Sequence, residues 1–211
     1  MSAFLYVEGG AGDSKELDIR CREGFRKLLE NCGFNRHLPR IVACGGRGRV
    51  YDQFVTAHST KTGTCVAMWI DSEEPLDDLN TPWTHLKDLD HWERPPGATD
   101  DQVLFMTTCM ETWIVADRET LKKHYGKDLQ QNALPPLEKL ENRERHEVQD
   151  KLAHATRNCK NAYAKGKRSF AILGLLNPAT LEERLPSFAR AKNILNRGCY
   201  ESFCKLLMEN Q

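Results

Sequence analysis

The chain has 211 residues, of which 40% are hydrophobic and 28% are charged. This composition is typical of a folded domain with a sizeable core and excludes wholesale disorder. Basic and acidic residues number 30 each, which excludes a globally basic nucleic-acid-binding protein but leaves room for a local basic surface.

Several features bear on the cellular compartment. No stretch approaches the ~20 apolar residues that a membrane-spanning helix needs, so no membrane association is expected. The first residues reach the acidic Glu8 without a basic segment, unlike a signal peptide. The eight cysteines form no C-x-x-C pair, which favours buried reduced thiols over a zinc site or a disulfide framework. Together these features predict a cytoplasmic protein.

Strand and helix signals alternate in the first half of the chain. Short hydrophobic runs predict strands over 3–7, 40–44, 65–70 and 103–106. Apolar residues at helical spacing predict helices over 13–33 and around Val50, Phe54 and Ala57. Because the strands are hydrophobic throughout, the order predicts an α/β fold with a mostly parallel central sheet flanked by helices.

The second half of the chain has a helical pattern. Helices are predicted over 110–116, 118–125, 148–159, 178–184, 187–196 and 201–208, with a surface connection over 127–143. The segment 169–176 is compatible with a strand or a helix. The predicted organisation is therefore an α/β core over residues 1–126 and a helical C-terminal portion over 127–211, packed on the core as one compact unit.

Three acidic residues follow two of the predicted strands. Glu8 comes directly after the first strand, Asp71 directly after the third, and Glu73 lies two residues further on. Residues two apart on an extended segment face the same side, so the three side chains should converge if the two strands are neighbours. Converging carboxylates repel one another unless a cation neutralises them, and Mg²⁺ or Mn²⁺ prefers such oxygen ligands. The alternative for each acid alone is a helix cap or a solvated loop.

Two further candidates come from later in the chain. Glu111 opens a predicted helix after the fourth strand and is a candidate catalytic carboxylate, although a glutamate there also suits the helix dipole alone. Lys165 is a candidate to stabilise negative charge developing on a phosphoryl group, and Lys167 to bind a phosphate. The alternative for both lysines is a turn that faces solvent.

Phosphate binding is also predicted at the ends of the first two strands. Gly9 and Gly10 would allow a sharp bend and a close approach of a phosphate. Arg47 and Arg49, which follow two glycines, are candidates to hold a phosphate through paired donors. The segment 9–15 lacks the phosphate-loop motif G-x-x-x-x-G-K-[ST], so ATP hydrolysis by this chain is not expected.

These motifs resemble a known catalytic domain. A strand that ends in Val7-Glu8-Gly9, followed by one that ends in Asp71-Ser72-Glu73, is similar to the Toprim domain of topoisomerases, primases and OLD-type nucleases. The resemblance implies a Toprim-like, Rossmann-like core in which Glu8, Asp71 and Glu73 bind Mg²⁺, with cleavage or transfer at a phosphodiester bond. Glu73 stands where an aspartate is also found in that group, which leaves the geometry of a second metal ion open.

A more specific resemblance covers roughly residues 3–190. Val7–Gly9, Gly45–Arg49, Cys109–Asp117 and Tyr163–Gly166 are similar to the Toprim-like family called domain of unknown function 4276. This resemblance implies an AAA-type or SMC-like ATPase as partner, in phage defence or DNA repair. The first hypothesis is a Mg²⁺-dependent nuclease acting on DNA or RNA. The second is a non-catalytic metal-binding or regulatory subunit of such an ATPase.

Overall fold

The computed structural model describes residues 3–10, 14–34, 38–61 and 64–208, with side chains described as far as residue 197. Four strands form one sheet: β1 (Ala3–Val7), β2 (Arg40–Ala43), β3 (Cys65–Asp71) and β4 (Val103–Met106). Their order across the sheet is β2-β1-β3-β4, and every neighbouring pair is parallel. The predicted α/β fold with a parallel sheet is confirmed.

Three helices connect the strands. They are α1 (Lys15–Asn31), α2 (Arg47–Thr60) and α3 (Pro82–Asp90). The helix predicted over 13–33 corresponds to α1, although residue 13 lies outside the described part of the chain. α1 begins after Ser14, whose hydroxyl accepts a hydrogen bond from the Leu17 backbone N–H at 3.4 Å. α3 was not predicted, because it lies within a segment dominated by acidic residues.

Six helices make up the rest of the described chain. They are α4 (Met110–Ala116), α5 (Arg118–Tyr125), α6 (Arg145–Thr156), α7 (Lys167–Leu173), α8 (Pro178–Arg184) and α9 (Pro186–Met208). The ambiguous segment 169–176 is thus mainly helical. The two helices predicted over 187–196 and 201–208 are one continuous helix, because a glycine such as Gly198 costs only about 1 kcal/mol in a helix interior.

The connection over 127–143 is more buried than predicted. It contains short 3-10 turns, and Leu129, Leu134 and Leu140 are at most 7% exposed and belong to the main hydrophobic cluster. Among the helices that the structure describes, none combines the length and the apolar composition of a membrane span.

The two faces of the sheet carry separate hydrophobic clusters. Leu5 and Trp69 point to the face covered by α1, α4 and the C-terminal helices, whereas Tyr6 and Met68 point to the face covered by α2 and α3. Successive strand residues point to opposite faces, so burial of both faces requires apolar residues at every strand position. This explains why the strands are hydrophobic runs without alternation.

The cysteines follow the predicted pattern in part. Cys21, Cys44, Cys109 and Cys159 are buried with free thiols, whereas Cys65 is exposed. Burial raises the pKa of the Cys44 thiol to about 12, so this side chain behaves as a small hydrophobe.

The sheet topology selects one place for a ligand. β1 and β3 are adjacent, with Val7 paired to Trp69, while the chain passes from β1 to β2 on the opposite side. In open α/β sheets, ligands bind beyond the carboxyl ends of the strands where the strand order reverses. That position lies between the ends of β1 and β3, where Glu8 and Asp71 are found.

A partly buried glutamate outside this region ties the connection to α9. Glu141 accepts hydrogen bonds from the hydroxyl of Ser187 and from the Ser187 backbone N–H, the latter at 3.1 Å. Burial raises the pKa of Glu141 to about 7, and the hydrogen bonds from Ser187 oppose this rise.

We predict that Glu141 makes stability pH-dependent. Its pKa in the folded state is raised above the ordinary value of 4.5, so the folded protein loses stability as pH rises through the interval from 4.5 to about 7. Glu141→Gln keeps an acceptor but cannot ionise. Its advantage over the wild type in urea unfolding should therefore grow between acidic and mildly alkaline pH, by up to about 3 kcal/mol.

The matched control is Glu138→Gln, which changes an exposed glutamate of the same connection. A stability difference between Glu141→Gln and the wild type that does not change with pH would contradict the assignment.

Candidate metal centre

Glu8 and Asp71 lie side by side at the carboxyl ends of the two central strands. Glu8 directly follows β1, and its Oε2 accepts a hydrogen bond from the Asp71 backbone N–H at 3.0 Å. Asp71 is the last residue of β3 and is buried, and its Oδ1 accepts from the backbone N–H of Met110, the first residue of α4, at 2.9 Å. Backbone donors therefore fix both carboxylates where the sheet order reverses.

Glu73 joins these two residues by a route that was not predicted. The sequence suggested that residues 71–73 stay extended, but β3 ends at Asp71 and Glu73 has φ +68°, in the left-handed region. The Glu73 backbone N–H donates to the carbonyl oxygen of Thr108 at 2.9 Å, which holds this turn in place. One carboxylate oxygen from each of Glu8, Asp71 and Glu73 lies within 4.8 Å of the others. The predicted convergence is observed, and the three residues can hold a metal ion.

The electrostatics of the site favour a bound cation. Burial raises the pKa of Asp71 well above its ordinary value, and the nearby charges of Glu8 and Glu111 raise it further. Burial also raises the pKa of Glu8, opposed by the hydrogen bond from Asp71 and by the charge of Arg47. A cation bound among these oxygens would relieve both the desolvation and the repulsion, so the donor set fits a metal ion.

Glu8 and Asp71 line a cavity of about 250 Å³, whereas Glu73 is not part of its lining. The cavity brings together six residues that the sequence singled out: Glu8, Gly9, Gly10, Asp71, Glu111 and Lys165. Lys165 is exposed, and its positive charge lowers the pKa of both Glu8 and Asp71. Arg47, Arg49 and Lys167 are not part of the lining.

The turn after β1 leaves no room for side chains beside this cavity. Gly9 has φ +124°, and a Cβ built there would lie 2.8 Å from the ring of Phe170. Gly10 has φ +85°, and its Cβ would lie 2.3 Å from Oδ1 of Asp18. The predicted sharp bend is therefore observed, with Phe170 and Asp18 packed against the two glycines, whereas phosphate binding at this turn stays a prediction.

Glu111 is held by donors from the C-terminal helical portion. It is 1% exposed, its Oε1 accepts a hydrogen bond from the hydroxyl of Tyr163, and its Oε2 accepts one from Gln149 at 3.3 Å. Burial and the charge of Glu111 raise the pKa of Tyr163, so the phenol remains a hydrogen-bond donor. These two partners fix the direction in which the Glu111 carboxylate faces the cavity.

Arg47 has different contacts from those expected of a phosphate-binding residue. Its guanidinium donates to the carbonyl oxygen of Asp71 and to the carboxylate of Asp90, and it lies 5.3 Å from the ring centre of Trp92. Only 10% of this side chain is exposed. Arg47 therefore ties the start of α2 to the end of β3 and to α3, and both terminal nitrogens already donate within the protein.

The remaining basic candidates lie outside the cavity. Arg49 is exposed in the first turn of α2, and Lys167 is exposed at the start of α7. The Lys167 ammonium pairs with Glu16 at 3.2 Å. The structure thus brings neither residue to the carboxylates.

Sequence reasoning missed four contacts at the site. Arg145 pairs with Glu73, the His85 ring lies 2.9 Å from the Ser72 carbonyl oxygen, and Tyr163 and Gln149 bind Glu111. Tyr163 belongs to a stretch already noted for its family resemblance, so a signal existed for it. Arg145 and Gln149 lie in a helix rich in charged residues, where no local pattern distinguishes them from a solvated face.

Comparison with models of known protein families assigns the chain to a family. A family model described as Domain of unknown function (DUF4276) matches residues 12–195. The chain belongs to this family. The match includes Asp71, Glu73, Glu111 and Lys165, and begins after Glu8. No curated protein and no solved structure gives a significant match.

The glycine turn yields a stability prediction. Gly9→Ala should destabilise the protein by roughly 1–3 kcal/mol, because alanine disfavours positive φ and its Cβ would clash with Phe170. Gly48→Ala is the matched control, since Gly48 lies in α2 and a Cβ there has no neighbour within 4 Å. That variant should gain about 0.5–1 kcal/mol. Urea unfolding measures both, and equal effects would contradict the packing described.

Repulsion among the carboxylates yields a second prediction. Asp71→Asn keeps the acceptor for the Met110 N–H but cannot ionise, so the metal-free variant should unfold at a higher urea concentration than the wild type wherever Asp71 carries its charge. The same change should abolish the rise in Tm that a divalent cation causes in the wild type. Asp88→Asn, at an exposed position of α3, should leave that rise unchanged. A full metal response in Asp71→Asn would rule Asp71 out as a ligand.

Proposed function

We propose that this protein is a Mg²⁺-dependent, Toprim-like nuclease that cleaves phosphodiester bonds in DNA or RNA. The observation that carries the proposal is the meeting of oxygen ligands from Glu8, Asp71 and Glu73 within 4.8 Å, at the sheet edge where ligands bind in this class of fold. An all-carboxylate set suits a hard divalent ion such as Mg²⁺ or Mn²⁺ better than a softer metal.

Each residue at the cavity has a role in this proposal. Glu8, Asp71 and Glu73 would hold the ion, which would polarise a phosphodiester group and lower the pKa of a water molecule. The close-packed turn at Gly9 and Gly10 would admit the nucleic-acid backbone next to these carboxylates. The proposal therefore places the ligands Glu8 and Asp71 and the turn at Gly9 and Gly10 in the lining of one cavity.

Lys165 and Glu111 would act on the reacting groups. The exposed ammonium of Lys165 would donate to a phosphate oxygen and balance the negative charge that develops there. Glu111, whose orientation Tyr163 and Gln149 fix, would accept a hydrogen bond from the attacking water and so position it.

The resemblance of the motifs to Toprim domains also supports metal-dependent cleavage of phosphodiester bonds, and the family resemblance implies a partner ATPase. Val7-Glu8-Gly9 and Asp71-Ser72-Glu73 resemble the metal-binding motifs of Toprim domains. We further propose that an AAA-type or SMC-like ATPase acts with the protein, in phage defence or DNA repair, as the family resemblance implies.

The test is a cleavage assay on the purified chain, alone and with a candidate ATPase of this kind. Single-stranded and double-stranded DNA and RNA are supplied with Mg²⁺, Mn²⁺ or EDTA, and cleavage should require the ion. Glu8→Ala and Asp71→Ala should reduce it to the EDTA background. Lys165→Ala should slow it by about 100-fold, the scale of one lost electrostatic contact to the transition state.

The control for Lys165 is Lys160→Ala, an exposed lysine of the same connection between α6 and α7 that does not line the cavity. Cleavage that survives intact in Glu8→Ala and Asp71→Ala would refute the assignment. A divalent ion that raises Tm while no nucleic acid is cut under any condition would instead favour a non-catalytic metal-binding subunit of an ATPase.

A further inference from the structure

An ion pair stands at the edge of the candidate metal centre. Arg145, the first residue of α6, pairs with the carboxylate of Glu73. Their side chains are 31% and 24% exposed, respectively. Pairs with this exposure exchange partners at low cost, because solvent screens their attraction and hydrates the separated charges.

The carboxylate of Glu73 has two competing partners, Arg145 and a divalent ion. Its carboxylate pairs with Arg145, and it also offers an oxygen within 4.8 Å of the ligand oxygens of Glu8 and Asp71. The charge of Arg145 extends to the other ligands as well, since it helps to lower the pKa of Glu8. In the metal-free protein, Arg145 thus partly neutralises the site that a divalent ion would occupy.

Arg145 has fewer partners than Arg47, the other arginine beside the site. Arg47 is 10% exposed and is held by Asp71, Asp90 and the ring of Trp92. Among the described residues, Glu73 is the ion-pair partner found for Arg145. Loss of that one partner would leave a guanidinium with several free donors beside the ligand Glu73, in a form suited to a phosphate.

We propose that Arg145 is a phosphate-binding residue that Glu73 restrains until a divalent ion draws Glu73 into its ligand set. The released guanidinium then binds a phosphodiester oxygen beside the ion. This inference rests on the proposed function for its substrate class. It implies positive coupling, in which the divalent ion and the nucleic acid each strengthen the binding of the other.

A purely structural role for Arg145 makes the opposite prediction for metal binding. If Arg145 only orients Glu73 as a ligand, its removal should weaken the binding of the ion. If Arg145 competes with the ion for Glu73, its removal should strengthen that binding. The sign of the change therefore distinguishes the two roles.

The first experiment is a calorimetric titration of the full chain with Mn²⁺ alone. Arg145→Ala should bind Mn²⁺ about two- to fivefold more tightly than the wild type, the scale of a partly exposed ion pair. Arg145→Gln should show the same gain and replaces the alanine variant if that one folds poorly. Arg157→Ala, at the other end of α6, should match the wild type. Weaker or unchanged Mn²⁺ binding in both Arg145 variants would overturn the proposal.

The second experiment measures nucleic-acid binding in EDTA, by the fluorescence anisotropy of short labelled single strands. Glu73→Gln releases Arg145 without any metal, so this variant should bind where the wild type does not. Glu73→Gln combined with Arg145→Ala should lose that binding. Its salt dependence should fall by about 0.7 in the slope of log K against log salt, the loss of one phosphate contact. No gain in Glu73→Gln over the wild type would overturn the proposal.

Parallel arms with DNA and RNA show which nucleic acid supplies the phosphodiester. Both experiments also separate this inference from the nuclease proposal, because neither requires cleavage. Metal-coupled binding without cleavage would remove the nuclease assignment and retain the role of Arg145. Cleavage by the wild type, with Mn²⁺ binding unchanged in the Arg145 variants, would retain the nuclease assignment and remove the proposed role of Arg145.

Discussion

The desolvation of two neighbouring carboxylates, Glu8 and Asp71, is the constraint on which the functional part of the structure depends, and the charge of Glu8 adds to its cost at Asp71. Parallel pairing of β1 with β3 places the two carboxylates next to each other, and the Asp71 backbone N–H binds Glu8 directly. Both faces of these strands are buried, so the carboxylates cannot move apart without disrupting the two hydrophobic clusters. The free energy of core packing therefore supports an unfavourable arrangement of charge, and a bound cation is the simplest means of relieving it.

Much of this arrangement could be predicted because its signals are local. A hydrophobic run that ends in an acid marks both the strand and its end, and this is enough to place Glu8 and Asp71. That the two residues lie next to each other follows from the order of the strands in the sheet. The sequence did not establish this order, so their convergence was predicted only for the case in which the two strands are neighbours. The turn at Glu73 could not be predicted, since its left-handed backbone depends on the carbonyl oxygen of Thr108, supplied by the segment after β4.

One missed element changes the interpretation of Arg47. α3 was hidden because acidic residues dominate its segment, although Trp83 and Leu86 are buried at helical spacing. Asp90 ends this helix and binds Arg47. Because α3 was not predicted, Asp90 was not recognised as a partner of Arg47. The sequence therefore showed Arg47 only as a basic residue near the end of a strand, where it could bind a phosphate. A local motif can thus place a side chain correctly while its partners, contributed from elsewhere in the chain, decide whether it is free to bind a ligand.

The groups that balance the acids fall into two classes that differ in mobility. Met110, Tyr163 and Gln149 donate from buried or partly buried positions, and their hydrogen bonds fix the directions of Asp71 and Glu111. Lys165 and Arg145 balance the same charge from partly or fully exposed positions. Interior donors cannot leave without an unsatisfied buried carboxylate, whereas exposed cations can exchange partners with solvent. In the proposed function, ligand binding at this edge of the sheet therefore acts through the exposed cations, while the hydrogen bonds to Asp71 and Glu111 preserve the geometry of the carboxylates.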